Sequence, residues 1–138
     1  MQSLPDLISL LRGHGYMSGV NRDRQRIEAN AEVFTPTELV REILDHLDPQ
    51  LFQDPRKKFL DPSCGDGQFL SEVLIRKLEN QIDFEIALSS LYGIDLMEDN
   101  VELCRNRLLC GREDLRAIVE RNIVSADALC YHYRFDGS

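Results

Sequence analysis

No two of the four cysteines stand as a CxxC pair. Cys64, Cys104, Cys110 and Cys130 are scattered, and His14, His46 and His132 do not cluster near them. Zinc sites need close ligand spacing, so no metal site is expected and the thiols read as reduced, as in the cytosol. No apolar run approaches the ~20 residues needed to span a bilayer. The opening MQSLPDLISLLRGHG lacks the basic start and small-residue cleavage site of a secretory signal. The expectation is therefore a cytoplasmic protein with no membrane partner. Basic residues are in deficit, 16 Lys and Arg against 24 Asp and Glu, for a net charge of −8. That balance argues against strong autonomous binding to nucleic acid; contact with DNA would need a local basic patch, a partner or a further domain. Arg22, Arg24 and Arg26 are interrupted by Asp23 and followed by Glu28, and read as a solvated face. There is no repeat and no low-complexity tract.

What remains is a 138-residue chain, 43% hydrophobic, enough for one domain with a modest core. Apolar spacing predicts a short amphipathic helix over Leu4–Arg12 and a polar helix near Arg22–Ala31. Thr35-Pro36-Thr37-Glu38 reads as a helix start, with Thr35 as N-cap, Pro36 in the first helical position and Glu38 closing a capping box; Asp48-Pro49 ends that helix. Lys57–Asp61 reads as a strand running into the tight loop Pro62–Gly67. A helix follows over Gln68–Asn80 with Phe69, Leu70, Val73, Leu74 and Leu78 inward, then a shorter one over Asp83–Ser90. Leu91–Asp95 is a second strand, Asp99–Leu109 and Glu113–Glu120 are helices, and Asn122–Asp127 is a third strand. Strands separated by helices imply parallel pairing with right-handed crossovers. The expectation is an α/β fold, half of a doubly wound sheet with strand order 3-2-1. Residues 1–31 form a helical extension and residues 32–138 the α/β half-domain.

Ligands in such sheets sit beyond the carboxyl ends of the strands, and each predicted strand ends in an aspartate: Asp61, Asp95 and Asp127. Gly65 and Gly67 permit a sharp turn and a close backbone approach, and the helix that follows points its positive end at that space. Asp61 and Asp66 would repel a polyphosphate, and the GK[ST] ending of a P-loop and the GxGxxG of a dinucleotide site are both absent. A cationic ligand such as the sulfonium and amino group of S-adenosylmethionine (SAM) suits the loop; a plain glycine turn is the competing reading. Asp95 can accept from both hydroxyls of a ribose or supply negative charge to the next helix, a role Asp99 already fills. Leu96 and Met97 can cover an adenine ring or belong to the core. Asp127 can accept from an adenine amino group or cap a turn. Thr35 and the helix start after it can hold a carboxylate or make an ordinary N-cap.

Taken together these segments resemble the adenine-specific amino-methyltransferases of DNA, of the restriction-modification type. Glu32–Val40 is similar to the family's upstream motif X. Asp61-Pro62-Ser63-Cys64-Gly65-Asp66-Gly67-Gln68-Phe69-Leu70 matches the DPxCGxGxFL form of motif I, which fixes six or more positions. Tyr92–Leu96 resembles motif II, and Ser125–Ala128 motif III. The resemblance spans about residues 30 to 130 and implies an incomplete Rossmann-like SAM-dependent methyltransferase fold. It implies SAM as cofactor, with Phe34, Thr35 and Pro36 at the methionine carboxylate. Asp61, Pro62, Cys64, Gly65, Gly67 and Phe69 would surround the methionine moiety, with Asp95 and Leu96 at the ribose and adenine, and Asp127 and Ala128 at the adenine.

One motif is missing. The family's catalytic [ND]PP[YFW] has no counterpart, because none of Pro5, Pro36, Pro49, Pro55 and Pro62 begins a Pro-Pro pair. In the family that motif holds the target amino group and stacks on a flipped base. No catalytic residue is therefore assigned. Two readings are carried: the cofactor-binding portion of a DNA adenine-N6 methyltransferase, or a non-catalytic SAM-binding or regulatory protein of a methylation or restriction system. With three strands only, the first strand becomes an open edge at Phe59 and Leu60, which invites pairing. The expectation is that the N-terminal helices, a second copy or a second subunit cover it.

Overall fold

The computed structural model describes residues 2–13 and 35–135. The expected polar helix near Arg22–Ala31, and Phe34, lie outside the described residues. Along the chain come α1 (Leu4–Gly13), α2 (Thr37–Asp45), α3 (Gln50–Gln53), β1 (Phe59–Asp61), α4 (Gln68–Glu79), α5 (Phe84–Ser89), β2 (Leu91–Asp95), α6 (Glu98–Leu109), a 3-10 turn (Glu113–Leu115), α7 (Arg116–Asn122) and β3 (Ile123–Ser125).

The three strands form one parallel sheet in the order β1-β2-β3, the arrangement expected from strands joined by helical crossovers. Phe59 is level with Leu91 and Asp61 with Gly93; Gly93 is level with Ile123 and Asp95 with Ser125. The period of two then sorts the side chains. A Cβ on Gly93 would meet Cys64 and Leu70 at the start of α4. Leu60, Tyr92, Ile94 and Val124 line the opposite face together with Tyr131, Tyr133 and Phe135.

Helix α4 is the hub. Leu70, Val73, Leu74, Ile75 and Leu78 are buried, and so are Gln68, Ser71, Glu72 and Lys77. That exceeds the single inward stripe expected from spacing, because α1, α2, α5 and α6 all pack around this helix as well as the sheet. Phe69, expected inward, is only half-buried. Helix α1 packs on α4 and α6, and its Leu11 is fully buried in the same hydrophobic core. Strand β1 lies at one edge of the sheet. Its Leu60 is 39% exposed, while Phe59 is half-buried and stacks on Phe52 of α3 with ring centroids 5.4 Å apart.

Four boundary expectations are corrected. Pro36, not Thr35, is the N-cap of α2, and no side chain caps it. The proline has an extended ψ of 149°, so the helix begins one residue later and the Pro36 carbonyl takes the first helical bond from Val40 N at 3.1 Å. Strand β1 starts at Phe59 rather than Lys57, since a turn closed by Lys57 N on the Asp54 carbonyl uses the preceding backbone. The helix expected over Glu113–Glu120 is a 3-10 turn followed by α7 reaching Asn122. Strand β3 ends at Ser125, two residues short of Asp127.

Candidate functional site

The loop Pro62–Gly67 is anchored to the sheet by backbone bonds. Cys64 N donates to the Ile94 carbonyl at 2.9 Å, and Gly67 N donates to the Cys64 carbonyl at 2.9 Å. Gly65 and Gly67 have φ of +54° and +100°, the left-handed region in which a side chain is strained. Their surroundings differ. A Cβ at Gly65 would meet nothing within 4 Å, whereas one at Gly67 would lie 3.1 Å from Cys104 Sγ. Gly65 therefore borders open space, and Gly67 is pressed onto α6. Cys64 is buried; its hydrogen bond with Cys104, together with burial, pushes its thiol well above the usual range. Such a thiol is a packing group, not a nucleophile.

Two of the three expected acids meet at this loop. Asp61 Oδ1 accepts from Ser63 N at 3.0 Å, turning the chain out of β1. Burial pushes its carboxyl up, and the neighbouring charge of Asp95 adds to the effect. Asp95 Oδ1 accepts from Gly65 N at 3.3 Å, and its Oδ2 from Met97 N at 3.0 Å and Asn100 Nδ2 at 2.9 Å. A carboxylate offers about four acceptor positions, so these three bonds leave Asp95 room for one more. Leu96 beside it is an apolar side chain left 66% exposed. Pro62 is exposed on the loop.

Asp127 stands two residues beyond the strand end that spacing predicted for it. Past the end of β3, its Oδ1 accepts from Leu129 N at 3.0 Å, and its carbonyl accepts from Cys130 N and Tyr131 N. It caps its own turn, the competing reading of that residue. The segment nonetheless lies beside the second strand end: Ala126 N donates to the Asp95 carbonyl at 3.0 Å and Ser125 Oγ to the Leu96 carbonyl at 3.2 Å. Ala128 is half-buried, and its carbonyl accepts from the Tyr133 hydroxyl at 2.8 Å.

Asp66 corrects the electrostatic picture. It is 6% exposed and faces Arg107 of α6, with Oδ1 3.6 Å from Nη1. Its charge is opposed from inside the fold, so the acidity at the strand ends belongs to Asp61 and Asp95. Thr35 is half-buried and Pro36 exposed. Among the described residues no hydrogen bond links either to the Asp61–Gly67 loop; they reach its neighbourhood through α2, which packs on α4.

Sequence reasoning missed Arg107, Asn100 and Gly93. Asn100 carried a usable signal, since a polar residue one turn into a helix after a strand-end aspartate stands where it can hold that carboxylate. Gly93 carried a second signal: a glycine inside a strand marks a close approach of other chain, and here a Cβ would lie 2.9 Å from both Cys64 Cβ and Leu70 Cδ1. Arg107 gave none, because its role depends on how α1, α4 and α6 meet. Among the described residues no His, Cys, Asp and Glu group could hold a metal ion, and no helix is long and apolar enough to cross a membrane.

Residues 22–132 match the family model described as N-6 DNA Methylase. Over 105 residues the chain is 30% identical to the Type II methyltransferase M.VspI of Vibrio sp. (strain 343), covering 75% of this chain and 22% of that protein. No solved structure matches. The chain thus spans about a fifth of the length of the curated relative it matches. The matched region includes the whole sheet, the glycine loop, the strand-end acids Asp61 and Asp95 and also Asp127, and the parallel order of the strands is that of an incomplete Rossmann-like methyltransferase fold. Fold, loop and family match converge, and the chain belongs to the N-6 DNA methylase family.

Proposed function

We propose that this chain is the cofactor-binding portion of a SAM-dependent DNA adenine-N6 methyltransferase. The observation that carries the reading is the bond from Gly65 N to Asp95, which sets an unobstructed left-handed glycine beside two strand-end carboxylates. This arrangement suits a cationic nucleoside. Asp61 and Asp95 supply negative charge for a sulfonium and an amino group, Asp95 keeps acceptor capacity for a ribose hydroxyl, and exposed Leu96 offers an apolar face for the base. The open space at Gly65 is the cradle that a Cβ would begin to fill. Asp127 and Ala128 complete the adenine end, with Phe34, Thr35 and Pro36 toward the methionine carboxylate and Cys64 and Phe69 behind the loop. When bound, SAM supplies the electrophilic methyl group. The residues of this chain bind and orient it.

The test is calorimetry with SAM, NAD and ATP, followed by transfer of labelled methyl from SAM to adenine-containing DNA. Binding of SAM in preference to the other two supports the reading. Binding of NAD or ATP instead, or of none, overturns it. A second reading, a non-catalytic SAM-binding or regulatory protein of a methylation or restriction system, is favoured by one observation: these 138 residues contain no Pro-Pro pair and hence no [ND]PP[YFW] acceptor site. SAM binding without methyl transfer, alone and with added partner subunits, would select it.

The reading includes an interaction. Among the described residues no strand pairs with the outer edge of β1, where Leu60 is 39% exposed; a second copy or a second subunit would cover it, and DNA would be reached through such a partner or a further domain. Sedimentation that returns a well-behaved monomer at high concentration, with freely exchanging β1 amides, would count against this part. A cytoplasmic location accords with the DNA substrate.

A further inference from the structure

Arg107 of α6 is the largest fully buried side chain among the described residues, at 2% exposure. Removing a guanidinium from water is costly, and packing alone would be served by leucine or methionine. Its contacts lead to helix α1 and to the glycine loop. Nε donates to the Leu11 carbonyl of α1 at 2.7 Å. Nη1 lies 3.6 Å from Asp66 Oδ1 and has no hydrogen-bond partner among the described residues. Its Cδ lies 3.6 Å from where a Cβ on Gly67 would stand. The next residue of α1, Arg12, makes a two-point pair with buried Glu72 of α4 at 2.8 and 2.9 Å.

We infer that Arg107 is a positioning residue for the cofactor loop: by opposing the buried Asp66 carboxylate and supporting Gly67 while holding Leu11, it makes the shape of the Gly65-Asp66-Gly67 turn and the docking of α1 a single cooperative unit. Asp66 is the charged residue of the loop that faces inward, and its neighbours Gly65 and Gly67 occupy left-handed conformations that the loop must be held in. Without the guanidinium, the buried Asp66 carboxylate would lose this counter-charge, although the Gln68 amide still lies 3.5 Å from its Oδ1. The carboxylate would then swing toward water, carrying Gly65 N off Asp95. The functional meaning rests on the SAM reading above.

The experiment compares the full chain with Arg107→Met, Arg107→Lys, Asp66→Asn and Leu78→Ala. The last weakens the core at the far end of α4 and serves as a control of matched stability loss. SAM affinity is measured by calorimetry at a temperature where far-ultraviolet circular dichroism shows each protein folded. Amide exchange at Gly65 and Gly67 is measured without ligand. Arg107→Met is expected to weaken SAM binding by about tenfold and to speed exchange at both glycines. Arg107→Lys should recover part of each effect, and Leu78→Ala should change neither. Unchanged exchange at the two glycines in Arg107→Met, or equal effects in Leu78→Ala, overturns the inference. Should the wild-type chain bind no SAM, the cofactor reading falls, and the exchange data still decide the role of Arg107. Should Arg107→Met not fold, Asp66→Asn tests the same contact while leaving the Arg107–Leu11 bond in place, with the same expected direction and the same overturning result.

Discussion

Asp95 Oδ1 accepts the backbone N–H of Gly65 at 3.3 Å across thirty residues of chain, so one carboxylate joins the end of β2 to the bend that follows β1. The same side chain holds Met97 N and the amide of Asn100, itself 1% exposed. Replacing Asp95 with alanine leaves three donors without this acceptor. The expected cost is about 1–3 kcal/mol of stability, read as a lower denaturant midpoint, with loss of SAM binding by calorimetry. Stability and affinity both equal to wild type would show that this junction organises nothing.

The charged form of Asp61 is disfavoured by its surroundings. Burial raises its carboxyl above the ordinary value, and the charge of Asp95 adds to that. The folded protein therefore binds this proton more tightly than the unfolded chain. The contribution to stability is favourable below the unfolded value of about 3.9 and is lost as pH rises through the folded value. Asp61→Asn should therefore raise the Tm of the ligand-free protein at neutral pH, since asparagine can still accept from Ser63 N. It should weaken SAM binding by at least about tenfold. A lower Tm with affinity intact would contradict both halves.

Gly93 and Gly65 should fail differently when changed to alanine. At Gly93 a Cβ meets Cys64 Cβ and Leu70 Cδ1 at 2.9 Å, so Gly93→Ala forces the loop away from β2 and costs about 1–3 kcal/mol. At Gly65 there is space but φ is +54°, so Gly65→Ala costs roughly 1–2 kcal/mol of backbone strain and places a methyl group toward the proposed ligand. Equilibrium unfolding in urea and SAM titration together should show Gly93→Ala as the larger stability loss and Gly65→Ala as the larger affinity loss relative to stability.

Lys77 offers a pH test far from the loop. It is buried, donates Nζ to the Lys57 carbonyl at 2.6 Å and lies over the Phe59 ring; burial holds its ammonium down to about 8 from 10.5. The unfolded chain then binds more protons between those values, so stability rises with pH across about 8 to 10.5 and is reduced as pH falls through 8. Lys77→Met removes this group. The difference in unfolding free energy between wild type and variant should change in favour of the wild type as pH climbs through that window. A flat difference would mean that the ammonium is not perturbed.

Much of this was legible in the residues themselves. The run Leu91–Asp95 is the strand that spacing predicts, because its apolar residues lie between turn signals and admit no helical period. Asp61, Gly65 and Gly67 were legible through motif I, and Asp95 through motif II, because these motifs fix residue types whose backbone demands are local. The capping box at Thr35 failed because Pro36 can stand either in the first helical turn or just before it, and only its ψ separates the two. The strand end expected at Asp127 failed because the end of β3 depends on where β2 stops offering partners, which no local pattern records.

The local sequence by itself determined the alternation of strand and helix, the left-handed bend at Gly65 and Gly67, and the acids at the first two strand ends, since dihedral preference and side-chain periodicity act over a few residues. The tertiary structure alone decided that Asp66 turns inward to Arg107, that Asn100 and Gly65 share the Asp95 carboxylate, and that Tyr131, Tyr133 and Phe135 lie over Tyr92 and Leu60. Those contacts join segments far apart in sequence. They are set by which charges and rings must leave water together once the helices close on α4, a requirement that exists only in the assembled fold.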